Sequence, residues 1–75
     1  MAILQEYTKV RETDQEVEYA YGFPEKDRQL TINKTDGTFR VADGREDHGT
    51  RAVIRGIMRR VQEEKSWPVG GGVQH

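Results

Sequence analysis

Alternating apolar and polar positions in the first half of the chain predict β-strands. The clearest pattern is EVEYAYGF, beginning at residue 16, in which apolar side chains occupy every second position (Val17, Tyr19, Tyr21 and Phe23). A period of two places this set on one buried, aromatic face and leaves the other face open. An earlier apolar run over residues 3–10 predicts a first strand, joined to the second by the polar turn RETDQE.

The segment RQLTINKTDGTFRVAD predicts a hairpin of two further strands. Asp36-Gly37 is a strong two-residue turn signal, because a type I′ turn needs positive φ at both central residues. That turn places Ile32 opposite Val41, on the same face as Leu30 and Phe39. Turn chemistry and apolar pattern therefore agree on one register.

A helix is predicted over residues 49–65, with Asp47 or Thr50 as its N-cap and Pro68 beyond its end. At 100° per residue, its apolar residues fall within one arc (Val53, Ile54, Ile57, Met58 and Val61). The sequence predicts an α+β fold, a four-stranded antiparallel β-meander with one C-terminal amphipathic helix packed on one face. Residues 1–67 form this single domain, and the glycine-rich residues 68–75 a flexible tail.

Four arginines flank the apolar arc of the helix. Arg51, Arg55 and Arg59 recur every four residues on one side, and Arg60 lies on the other. The helical projection predicts that they border the buried face, and that Ala52, Gly56 and Glu63 point away from the sheet. Two interpretations follow: the arginines pair with acidic residues of the sheet such as Glu16 and Glu18, or they bind nucleic acid or another anion. Pairing within the chain is favoured.

Charge and composition narrow the function classes. Residues 1–50 carry seven basic and eleven acidic side chains, whereas residues 51–75 carry five and two, so an acidic part precedes a basic one. There is no cysteine, which excludes a disulfide framework and a thiol nucleophile. No apolar run is long enough for a membrane span, and no secretory signal pattern opens the chain. These features favour a cytoplasmic protein without membrane association.

Candidate chemistry is sparse. Four potential ligands crowd one loop (Asp43, Glu46, Asp47 and His48), but their spacing matches no known metal motif, and a solvated loop with a helix-capping acid is favoured. Neither histidine has an evident rigid partner for acid–base work, so we expect no enzyme activity, cofactor or metal. The aromatic strand face is interpreted as core rather than as a platform for stacking bases.

Several segments together resemble small uncharacterised actinobacterial proteins of about this length. The likeness covers YGFPEKDRQLTI, ADGREDH, RAVIRGIMRR and the ending WPVGGGVQH, and so most of the chain. No activity is attached to these motifs, and the resemblance therefore implies no catalytic or binding residue. It implies a bacterial cytosolic setting and a natural, not a cloned, ending.

The sequence therefore predicts a small intracellular binding or adaptor module that acts through protein–protein contacts. Trp67 and Tyr7 are the candidate partner-contact residues, because Tyr7 is expected on the more exposed face. Weak nucleic-acid or anion binding by Arg51, Arg55, Arg59 and Arg60 is the alternative function. The uncovered sheet face and edges leave homo-oligomerisation open.

Overall fold

The computed structural model describes residues 4–23 and 25–74. Within these residues the chain is α+β, with five strands and one helix. The strands are β1 (Leu4–Glu12), β2 (Glu16–Gly22), β3 (Arg28–Asn33), β4 (Phe39–Val41) and β5 (Gly70–Gln74), and helix α1 (His48–Glu64) lies between β4 and β5. The antiparallel sheet and single helix match the predicted fold class.

The fifth strand corrects the prediction for the C-terminal segment. The strand order is β4-β3-β2-β1-β5, so β5 follows the helix and adds antiparallel to the outer side of β1. The prediction that residues 68–75 form a flexible tail is wrong for residues 70–74, and His75 lies outside the described residues. The helix is therefore not the last element, and β1 is an interior strand.

Two of the β5 glycines, Gly70 and Gly71, allow close packing. A Cβ at Gly70 would lie 3.0 Å from the backbone oxygen of Tyr7. A Cβ at Gly71 would lie 2.7 Å from an Arg60 guanidinium nitrogen and 2.8 Å from the Tyr7 hydroxyl oxygen. Three consecutive glycines suggested flexibility because glycine loses the most entropy on ordering. Here the absent side chains instead give room to Arg60 and Tyr7.

The core lies between one face of the sheet and α1. Its fully or nearly fully buried members come from β1 to β4 and from the helix (Tyr7, Val17, Tyr19, Tyr21, Leu30, Ile32, Val41, Val53 and Ile57). Asp47 is the N-cap, and its carboxylate accepts a hydrogen bond from the backbone N–H of Thr50. Lys65 ends the helix in the left-handed conformation. Of the two predicted N-caps, Asp47 is confirmed.

The helix presents a different face to the sheet than its apolar arc predicted. Ala52 is buried, and a Cβ at Gly56 would overlap the Val73 side chain of β5. The prediction that Ala52 and Gly56 point away from the sheet is therefore wrong. Pairing of β5 with β1 extends the sheet beneath this side of the helix, and the glycine permits a close approach.

The register of the β3–β4 hairpin differs from the prediction by two residues. Leu30 pairs with Val41 and Ile32 with Phe39. The turn is longer than two residues because the Asn33 side chain accepts the backbone N–H groups of Thr35 and Asp36. A shift of two keeps every side chain on its face, so the apolar alternation could not separate the two registers.

Two aromatic residues lie where the sequence did not place them. Tyr7 is only 2% exposed and stacks edge-on against Tyr19, with ring centroids 5.6 Å apart, because β5 encloses β1. The expectation of an exposed Tyr7 is wrong, which removes it as a partner-contact residue. Phe23 is 54% exposed, since β2 ends at Gly22 with φ of 139° and the alternation ends there.

The segment between α1 and β5 is fixed to the core. The buried Tyr19 hydroxyl donates a hydrogen bond to the Pro68 carbonyl oxygen at 2.7 Å. Burial raises the pKa of Tyr19, as expected for a phenol that stays protonated in an apolar surrounding. Trp67 is half-buried and packs against the core, so it attaches this segment to the domain.

We expect Tyr19→Phe to lower the free energy of unfolding by about 1 kcal/mol, because the Pro68 carbonyl would lose its buried donor. Tyr21→Phe is the matched comparison. When the Tyr21 hydroxyl is removed, the Thr50 hydroxyl keeps its hydrogen bond to Asp47, whereas the Pro68 carbonyl has no second partner among the described residues. Urea unfolding of both variants measures the difference, and an equal or smaller loss for Tyr19→Phe would contradict the assignment.

Candidate binding surface

Three helical arginines form an exposed row, which we call the arginine row (Arg51, Arg55 and Arg59). At 100° per residue, Arg55 lies about 180° around the helix from the midpoint between Val53 and Ile57, the buried pair. Arg55 therefore faces away from this pair, whereas Arg59 lies only about 20° around the helix from Ala52, which is also buried. The row borders the buried face at Arg59 and turns away from it at Arg55. Its two intervals of four residues span about 12 Å along the helix.

No arginine of the row forms a hydrogen bond or ion pair with residues 4–23 or 25–74. The acidic residues of the sheet are already paired with cations of the sheet itself. Glu16 contacts Arg11 at 3.4 Å and Arg40 at 3.2 Å, and Glu18 contacts Arg11 at 3.8 Å. Pairing of the row with Glu16 and Glu18 was the favoured interpretation, and the structure contradicts it. Both acids lie on the sheet face away from the helix.

The open face of the sheet shows the same internal pairing. A shallow depression of about 350 Å³ there includes Arg11, Glu18 and Arg40 in its lining. Near the first hairpin, Glu12 contacts Lys9 and Lys34, each at 2.6 Å, and the hydrogen bonds from Lys34 and Lys9 lower the pKa of Glu12. These charges compensate one another, whereas the arginine row faces solvent.

Arg60 differs from the other three arginines. Its guanidinium donates to a Glu64 carboxylate oxygen at 2.8 Å and to the Gly70 carbonyl oxygen at 2.7 Å. The hydrogen bond to Glu64, together with the nearby Tyr7 hydroxyl, raises the pKa of Arg60. Arg60 thus joins the helix to β5 and is removed from the candidate anion-binding set. Sequence reasoning missed this role because β5 was interpreted as a tail.

A second charged cluster fixes the start of the helix. The Arg28 guanidinium lies 2.9 Å from an Asp47 carboxylate oxygen and 3.1 Å from an Asp43 oxygen, and it sits 5.0 Å from the Tyr21 ring centroid. Asp47 also accepts the backbone N–H and the hydroxyl of Thr50. The Thr50 backbone hydrogen bond, more than the nearby Arg28 charge, lowers the pKa of Asp47 to about 2.

The acidic loop before the helix therefore has a structural explanation. Asp43 pairs with Arg28 and accepts the Arg45 backbone N–H, while Asp47 caps the helix. Within residues 4–23 and 25–74, no group of three or more histidine and acidic side chains is arranged to hold a metal ion. In the same part of the chain, no helix has both the length and the apolar character needed to cross a bilayer.

The arrangement brings together three guanidinium groups on a rigid helix and leaves the sheet charges compensated. Planar guanidiniums donate hydrogen bonds in pairs to carboxylates and phosphates. Trp67, the remaining candidate contact residue, lies half-buried beyond the helix and is not part of the row. The row therefore presents exposed guanidinium donors of the kind that carboxylates and phosphates accept. No protein-family model, curated protein or solved structure matches the chain.

Proposed function

We propose that this chain is a small intracellular binding module that uses the arginine row to bind an acidic segment of a partner protein. The proposal is carried by the state of the arginine row, whose three side chains are exposed on one helix face and unpaired within the described residues. The acids Glu16 and Glu18 of the sheet are paired with other cations. Exposed cations on a rigid element can bind carboxylates without first breaking internal ion pairs.

An acidic protein segment suits this surface better than a long polyanion does. The chain has a formal net charge of −1, and its first fifty residues are acidic. A nucleic acid gains affinity by releasing counterions from several neutralised phosphates, and the acidic remainder of the surface would repel a long strand. Three guanidiniums within about 12 Å match the carboxylates of a short segment. The straight line of the row favours a phosphate backbone as the second candidate.

We expect replacement of all three row arginines by glutamine to weaken binding of an acidic peptide about tenfold, since exposed ion pairs each contribute up to about 1 kcal/mol. The probe is a short fluorescent peptide of alternating threonine and glutamate, measured by anisotropy at low salt. The matched control is a second triple variant, in which glutamine replaces Lys26, Arg40 and Arg45. It changes the net charge of the chain by the same amount as the row variant. This control should bind within about twofold of the unaltered chain.

Each other result has a defined meaning. Equal weakening by the two triple variants would show binding by overall charge and would contradict the role of the row, as would no binding at low salt. A single-stranded DNA oligonucleotide forms the second arm of the experiment. Tighter binding of DNA than of peptide, with affinity falling steeply as salt rises, would replace the proposal by the second candidate.

A further inference from the structure

Strand β5 is an edge of the sheet in the described structure, and its outward backbone groups can be assigned. The Lys9 backbone N–H donates to the Val69 carbonyl oxygen at 2.7 Å, which makes Lys9 and Val69 a hydrogen-bonded pair. Such pairs alternate in an antiparallel ladder, so Gly71 and Val73 also point their backbone groups toward β1. Gly70, Gly72 and Gln74 point theirs away from the sheet.

The outward groups of β5 are not equivalent. The Gly70 carbonyl oxygen accepts a hydrogen bond from Arg60 at 2.7 Å, so the helix already satisfies one outward acceptor. Gly72 presents both an N–H and a carbonyl, and no described residue bonds to either. Neither it nor its neighbour Gly71 has a side chain that would hinder an approaching strand.

The arginine row lies beside this edge. Gly56 faces Val73 of β5, and Arg60 contacts Gly70. Arg59 follows Gly56 around the helix by about 60°, in the direction away from the core, and Arg55 by about 100°. Glu63 follows Gly56 by only about 20° in the same direction, one turn beyond Arg59 along the helix. The helix side nearest the outer edge of β5 therefore carries Glu63 toward its C-terminal end, with Arg59 and then Arg55 further around. Helix and edge strand together border a surface to which β5 contributes backbone hydrogen-bonding groups and the helix contributes the guanidiniums of Arg59 and Arg55 beside the Glu63 carboxylate.

We propose that an extended acidic peptide segment binds here by pairing with β5 as an added antiparallel strand, with alternate carboxylates directed toward Arg59 and Arg55. This inference rests on the proposed function and specifies its geometry. In a strand, side chains alternate between faces. A partner residue opposite Gly72 shares the open face, whereas its neighbours, opposite Gly71 and Val73, share the helix face with the arginines.

A second copy of this chain fits the same edge less well. Two β5 strands can pair about a twofold axis through Gly72, since Gly70 would then face Gln74 of the second copy. Such an axis, perpendicular to the sheet, places both helices on the same face and brings the two arginine rows toward each other. Like charges oppose that arrangement, and a separate acidic segment relieves the repulsion.

Backbone methylation of the probe tests the pairing without changing its charge. In the alternating threonine–glutamate peptide, the threonine amides should face β5 and the glutamate amides should face solvent. N-methylation of the threonines should therefore weaken binding at least about tenfold, because hydrogen bonds to β5 are lost. N-methylation of the glutamates should change it by no more than about twofold.

A pair of variants at Gly72 tests the same point from the protein side. Gly72→Pro removes the outward N–H and leaves the pairing of β5 with β1 intact, because proline is tolerated where an edge-strand N–H faces solvent. Gly72→Ala keeps the N–H and serves as the control. We expect about tenfold weaker peptide binding for the proline variant and about twofold or less for alanine, with far-UV circular dichroism and thermal unfolding confirming that both fold.

The outcomes separate the inference from the function on which it rests. Equal binding of both methylated peptides, together with equal effects of the two Gly72 variants, would overturn strand addition and leave the arginine row as the binding surface. Failure of the acidic peptide to bind better than a threonine–glutamine peptide would overturn both. A dimer in sedimentation that Gly72→Pro dissociates would overturn the inference in favour of a second copy at this edge.

Discussion

Gly56→Leu is expected to lower the free energy of unfolding by about 2 kcal/mol. The substitution gains about 1 kcal/mol of helix propensity. The new side chain must enter space that Val73 occupies, and overpacking of this kind costs about 1 to 3 kcal/mol, with additional loss where an element is displaced. Displacement of β5 would also break the contacts of Arg60 with Gly70. Urea unfolding monitored by Trp67 fluorescence measures the loss.

A double-mutant cycle identifies the contact responsible. In the Val73→Ala background the space above β5 is enlarged, so Gly56→Ala should become stabilising by about 0.5 to 1 kcal/mol, its helix-propensity gain. In the unaltered chain the same substitution should gain less, because its Cβ meets Val73. Equal effects of Gly56→Ala in the two backgrounds would show that Val73 does not account for the glycine.

Asp47→Ala is the second substitution expected to have a large effect, about 2 kcal/mol. Loss of an N-cap costs about 1 kcal/mol. The remainder arises because Arg28 loses a carboxylate at 2.9 Å and the buried Thr50 hydroxyl loses its acceptor. Asp47→Asn is the matched control, since an amide oxygen can still cap the helix while the charge is lost. In urea unfolding, Asp47→Asn should lower the free energy of unfolding by about half as much as Asp47→Ala. Equal losses for the two variants would contradict the capping role.

Acid should reduce the difference between Asp47 and its asparagine variant. The folded pKa of Asp47 is about 2 and its usual value is 3.8, so the carboxylate favours folding wherever it is ionised in both states. That contribution is complete above about pH 4 and is lost as the pH falls toward 2. Solvent screening limits its size because the side chain is 41% exposed. A difference in unfolding free energy that stays constant over this range would contradict the assignment.

The sequence predicted the fold class because two signals were strong. Alternation in β2 placed Val17, Tyr19 and Tyr21 on the buried face, and helical periodicity placed Val53 and Ile57 in the core. Both are local patterns whose period follows from backbone geometry. Asp47 was predictable as one of two caps because its position just before an apolar periodic segment is typical of an N-cap.

Features that depend on distant contacts were not predictable in this way. Strand β5 has three glycines in succession, so no side-chain alternation marks it as a strand. Because β5 was not predicted, three further predictions failed. Tyr7 was expected to be exposed, Gly56 was expected to point away from the sheet, and Arg60 was not expected to contact β5. A glycine on the predicted outer face of a helix, followed by a glycine run near Val73, was the available signal of close packing.

The candidate binding surface was predicted in part. Arg51, Arg55 and Arg59 were identified from their spacing of four residues, and the structure places them together on one exposed face. Their internal partners were wrong, because Glu16 and Glu18 lie on the far face of the sheet and pair with Arg11 and Arg40. Helical projection gives a residue's angle, but which angle faces the sheet depends on all the strands beneath it.

The pairing of β1 with β5 has a consequence for how the molecule acquires its fold. Leu4 pairs with Gln74, so the contact closes a loop that contains nearly all of the described chain. The β1–β2 and β3–β4 hairpins and the helix use contacts much closer in sequence, and loop closure costs more entropy as the loop lengthens. We therefore expect β5 to dock late. Until it does, the outer backbone groups of β1 stay unpaired, and during synthesis this exposure lasts until residues 70–74 have left the ribosome.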